Sequence, residues 1–180
     1  MSVVRATSVL RAPLDGPLHG TVFLDYSGRM LRRKKLTTLD GLVFWVDLPD
    51  TVSLNDGDGL ALEGDSRVIE VRAADEPLLA VRGDLVRLAW HIGNRHTPCQ
   101  VAGDHLLIQA DPVLHSMLEG LGADVSPLEG PFQPEGGAYG TGRVLGHSHE
   151  REPAGGRSNA YEDFGDNDSD GDSDGDGGGE

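Results

Sequence analysis

With 180 residues, 37% hydrophobic and 5% aromatic, the chain has room for one medium or two small domains and no apolar run near the roughly 20 residues that cross a bilayer. Its formal charge of −15 is lopsided: residues 150–180 hold eleven acidic and two basic side chains, which leaves −6 on the first 149 and argues against a nucleic-acid partner, because phosphate binding needs a basic face. The lone Cys99 excludes an internal disulfide framework and any cysteine-based zinc ribbon, and the first residues lack the apolar stretch of a signal peptide, so a cytoplasmic location is expected.

In chain order, residues 1–74 carry short β-rich runs at 3–10, 21–25, 42–48, 60–62 and 67–72. The connections hold turn chemistry, including Asp15-Gly16-Pro17, Asp40-Gly41 and Asn55-Asp56-Gly57-Asp58-Gly59. This spacing predicts a small all-β barrel or sandwich, with nothing catalytic in it. The basic cluster Arg29, Arg32, Arg33, Lys34 and Lys35 reads as a solvated face of strands or a turn, its functional rival being a docking patch for an acidic partner.

Residues 75–146 change texture. A strand at 77–81 precedes Gly83-Asp84, which caps a helix whose apolar positions Leu85, Leu88, Ala89 and Ile92 recur at helical spacing and which ends at Gly93-Asn94. Two short strands, 99–101 and 106–109, join around Gly103-Asp104. Asp111 and Pro112 then open a second helix with Val113, Leu114, Met117, Leu118 and Leu121 on one face, and a strand at 123–128 follows. The order β-α-β-β-α-β predicts a ferredoxin-like unit. The fold class expected is therefore α+β: a small all-β domain (1–74), a ferredoxin-like domain (75–146) and a disordered, His- and Asp-rich acidic tail (147–180).

The chemistry concentrates in His91-Ile92-Gly93-Asn94-Arg95-His96. Two imidazoles flank the predicted helix end, and neutral imidazole is the commonest side-chain ligand for divalent transition metals. The structural alternative is a helix-capping His96 beside a half-buried His91. One exposed imidazole binds an ion weakly, whereas a two-fold axis pairs identical residues, and His147 and His149 can close the coordination sphere. Such an open site suits Ni(II), Cu(II) or Zn(II). His91 supports His96 or packs, Glu135 orders the tail, and His19, His105 and His115 read as surface residues. The run Asp166-Asn167-Asp168-Ser169-Asp170-Gly171 begins like a calcium loop, but Gly177 stands where the closing Glu is required. Two rivals remain: a scaffolding or peptide-binding protein with incidental histidines, and a metal-dependent hydrolase, for which no fixed-ligand motif such as His-Glu-x-x-His is present.

The block from His91 to His96, then Pro98, then Asp111, Val113, Leu114, Met117, Leu118, Leu121 and Gly122, then Pro131, Phe132, Pro134, Glu135 and Tyr139 resembles the urease accessory protein UreE family. The resemblance implies a homodimeric nickel metallochaperone, not an enzyme, with an N-terminal domain similar to peptide-binding modules and dimer contacts through the C-terminal domain. It implies that His96 supplies the nickel ligand at the dimer interface, and that Ni(II) passes to the apo-urease maturation complex through the GTPase UreG. Gln109, Ala110 and Pro112 stand where some members carry extra histidines, and only His147 and His149 stand in place of a long poly-His tail. A low nickel stoichiometry is expected.

Overall fold

The computed structural model describes residues 4–64 and 66–136; the tail, with His147, His149 and the Asp-rich run, lies outside them. Alternation at period two builds the first sheet. In β4 (Val43–Ser53), Phe44, Val46 and Leu48 are buried, while Val43 and Trp45, alternating with them, face outward. The same logic runs through β1 (Arg5–Leu10), β2 (Thr21–Leu24), β5 (Gly59–Leu62) and β6 (Val68–Ala73). Ala6, Val22, Leu24, Leu60, Ile69 and Val71 meet the β4 residues in one core.

The sheet has six strands in the order β2-β6-β5-β1-β4-β3, where β3 is Met30–Thr37, with β1/β4 and β2/β6 parallel. It is a single mixed sheet, not two stacked ones. It curls far enough for Leu39 N–H, in the turn after β3, to donate to the Thr21 carbonyl of β2 at 2.9 Å. The turn at 55–59 does the local work expected of its carboxylates. Buried Asp58 accepts the Asn55 N–H at 2.8 Å, the Ala12 N–H at 3.1 Å and Arg11 at 2.6 Å.

The basic cluster lies on a strand that alternation does not reveal, β3 (Met30–Thr37). Leu31 and Leu36 are buried, but four exposed cations separate them. The reason is position. β3 is an edge strand with a register shift between Leu31 and Arg33, so side chains on both of its faces reach water. Arg29 departs from the expectation of a solvated cluster altogether, being only 4% exposed.

The second sheet is antiparallel in the order β10-β7-β9-β8, formed by β7 (Asp75–Arg82), β8 (Gln100–Ala102), β9 (His105–Gln109) and β10 (Asp124–Pro131). Together with α1 (Leu85–Gly93) and α2 (Pro112–Gly120), this is the ferredoxin-like arrangement. Asp84 caps α1 by accepting the Arg87 N–H at 3.2 Å. Asp111 caps α2 by accepting the N–H groups of Val113 and Leu114, both at 2.8 Å. Leu88, Ile92 and Leu118 of the helices pack on Leu79, Val81, Leu106 and Ile108. Val113, expected on the packed face of α2, is 75% exposed: it sits in the first turn, beyond the area the sheet covers.

β7 is buried on both faces, which explains its unbroken apolar run. Leu78 and Ala80 face away from the helices and meet Phe132 and Tyr26, the latter from the turn before β3. There the two sheets are tied together. Tyr26 N–H donates to Glu76 Oε1 at 2.7 Å, and Gln109 Nε2 to Glu76 Oε2 at 2.7 Å. Arg29 Nη2 donates to the Phe132 carbonyl, its guanidinium lies 5.7 Å from the Tyr26 ring centre, and Tyr26 meets Phe132 edge-on at 5.3 Å. Burial pulls the Arg29 pKa down, and the nearby Glu76 carboxylate works against that.

Candidate metal centre

The last turn of α1 sets the geometry of the site. Arg95 N–H donates to the Ile92 carbonyl at 3.1 Å, His96 N–H to Gly93 at 2.9 Å, and Thr97 N–H back to Ile92 at 3.4 Å. This is a Schellman-type ending, whose left-handed residue is usually glycine. Here it is His96, with φ of +54°, the one non-glycine residue with positive φ among those described. For an L-residue that conformation costs roughly 1–2 kcal/mol. A strained residue of this kind points to a role other than stability.

His96 is exposed and lines a groove of about 300 Å³ together with Tyr26, Thr97, Pro98, Cys99 and Glu135. The far wall is a strap made by residues 132–136. Gln133 N–H donates to Gln100 Oε1 at 2.7 Å and Glu135 N–H to the Cys99 carbonyl at 2.9 Å, so the strap lies along the start of β8. Phe132 anchors its beginning in the junction between the sheets. The strap thus carries the chain from the buried junction to the side of His96.

Cys99 and Tyr26 are groove residues that sequence reasoning did not single out. Cys99 was visible only as an isolated thiol, and Tyr26 comes from the other sheet. Burial, and secondarily the Glu135 carboxylate, pushes the Cys99 thiol up to about 11. It therefore stays protonated near neutrality in the metal-free chain.

His91 is half-buried, with its ring edge-on to Trp90 at 4.9 Å, and it is not a wall of the groove. Its carbonyl accepts Arg95 Nη1 at 3.2 Å, so it supports the helix end. His105 Nδ1 lies 2.7 Å from Asp104 Oδ1 in the β8–β9 turn and holds that carboxyl below its ordinary range by hydrogen bonding. His115 pairs with Glu119 at 3.3 Å, and His19 is exposed in the segment just before β2. Gln109 is committed to Glu76.

Among the described residues, no three His, Cys, Asp or Glu side chains gather closely enough to hold an ion. The groove offers an imidazole and a carboxylate, an incomplete donor set for a transition metal. His147 and His149 lie outside the described residues. No helix is long and apolar enough to cross a membrane among the residues described.

Residues 4–74 match the model of the N-terminal domain of UreE urease accessory proteins, and residues 66–160 that of the C-terminal domain. The urease accessory protein UreE of Rhodobacter capsulatus is 54% identical over 145 residues, covering 81% of this chain and 92% of that protein. That of Cereibacter sphaeroides is 55% identical over 134 residues, 74% of this chain and 73% of the relative. That of Paracoccus denitrificans is 57% identical over 129 residues, 72% and 82% respectively.

Proposed function

The chain belongs to the UreE family of urease accessory proteins, chaperones of urease maturation and not enzymes, and on that premise we propose that it carries Ni(II) on His96 and passes it to the maturing urease. The observation that carries the reading is the placement of an exposed imidazole on the strained left-handed residue that ends α1. Glycine would end the helix at lower free energy, and only a histidine offers a ligand there.

One imidazole and one carboxylate do not make a tight site, so the donor set is completed by the His96 of a second copy and by His147 and His149 of the tails. Dimerisation through the C-terminal half brings the two α1 ends together. Val86 and Trp90, 85% and 64% exposed one turn apart on α1, supply an apolar surface beside the site for that contact. Neutral imidazoles leave the ion exchangeable, with Zn(II) or Cu(II) as substitutes in vitro. Handover is then a ligand exchange to the GTPase UreG and the apo-urease complex, in the cytoplasm.

The test is an equilibrium nickel titration of the full chain against His96→Ala, His96→Gly and a truncation before His147, with the mass in solution measured in parallel. Loss of tight binding in both His96 variants, with the dimer intact, is the expected result. Unchanged affinity would favour a scaffolding role with incidental histidines.

A further inference from the structure

We propose that the outer face of β1, β3 and β4 docks an extended acidic segment of a partner protein, with Trp45 as the apolar anchor. This surface lies on the first sheet and does not depend on the nickel reading. The register of the sheet builds it. Lys35 of β3 and Arg5 of β1 are both Cα partners of Trp45, so one row across the sheet reads Lys35, Trp45, Arg5. In the next row outward on the same face, Arg33 pairs with Asp47.

Trp45 is 46% exposed, and Val43, on the same face of β4, is 45% exposed. Arg5, Arg33, Trp45 and Asp47 line a groove of about 500 Å³. Asp47 lies 2.7 Å from Arg33 Nε and 3.6 Å from Arg5 Nη1, which orients both guanidinium groups while neutralising only part of their charge. Arg32 and Lys34, exposed on the same edge strand, extend the positive field.

Edge lysines have a plain purpose in discouraging edge-to-edge aggregation, and single exposed apolar residues are ordinary. Neither accounts for a tryptophan set between two cations in one row with a groove beside it. An aromatic anchor flanked by Arg5, Arg33 and Lys35, with Asp47 offsetting part of their charge, combines the Trp and Arg side chains enriched in interaction hot spots. Charge complementarity selects an acidic occupant. A second copy of the same face is disfavoured because it would set cations against cations. Nucleic acid is disfavoured because the patch is a few residues on a chain of net charge −15.

The test uses the full chain and a fluorescein-labelled peptide of alternating Glu and Val with one central Leu, followed by fluorescence anisotropy. Saturable binding is expected. It should weaken about tenfold or more when the peptide's Glu residues become Gln, and as much in Trp45→Ala and in Lys35→Glu, with circular dichroism unchanged. These side chains are exposed, so folding should survive both substitutions. Equal binding of the Glu and Gln peptides, or unchanged binding in both variants, would overturn the proposal. Tighter binding of a twelve-nucleotide oligothymidylate than of the peptide would overturn it in favour of nucleic acid.

Discussion

The start of α2 and the end of α1 are solved in opposite ways. At the first, Asp111 and Pro112 are what helix physics asks for, a carboxylate that satisfies two free N–H groups and a proline whose missing donor is not needed there. At the second, a histidine occupies the left-handed position where glycine would relax the chain. One terminus is chosen for stability. The other holds a less stable residue, which the proposed nickel role accounts for by the ligand its side chain offers.

Four measurements can break or sharpen that contrast. The largest effect concerns what stands behind the α1 end: Phe132→Ala removes a fully buried ring and should cost about 3–5 kcal/mol in urea unfolding, while loosening the strap that places Glu135 by His96. A loss under about 1 kcal/mol would mean that the junction is not what holds the groove. Next, His96→Ala should weaken nickel binding by about 100-fold or more, roughly 3 kcal/mol, and wild-type affinity should fall on acidification because imidazole must be neutral to bind. Binding that stays flat from pH 8 to about 5 would assign the ion to carboxylates instead.

Cys99, three residues beyond His96, reports how well that end is packed. With the thiol raised to about 11, its alkylation near pH 7.5 should run on the order of 100-fold slower than that of a free thiol and keep rising into strong alkali. Reaction at the free-thiol rate would show the packing to be open. The smallest effects form a pair of opposite sign. Asp111→Ala should destabilise by about 1 kcal/mol, whereas His96→Gly should stabilise by about 1 kcal/mol while abolishing tight nickel binding. A His96→Gly variant that is less stable than wild type would remove the ground for reading strain as function.

Local chemistry made the second half legible. Caps at Asp84 and Asp111, Pro112 at the helix start and the turn at Gly103 act over a few residues, so they read directly from the chain, and the βαββαβ order follows from them. What stayed hidden depends on distant partners. β3 was missed because an edge strand need not alternate, and Arg29 was grouped with solvent-facing cations because its acceptor is the carbonyl of Phe132. His96 was legible as a candidate ligand through its place after the helix, but its left-handed backbone was not. Nor were Tyr26 and Cys99 as walls of its groove, since the strap that completes it runs from the far end of β10.

The burial of β7 on both faces has a consequence for how this molecule opens. Amide hydrogens of 78–81, shielded by the helices on one side and by Tyr26 and Phe132 on the other, should be the last to exchange with solvent. Under the proposed nickel-carrying role, a helix tip and a peripheral strap then give way repeatedly while that central spine keeps the chain from melting.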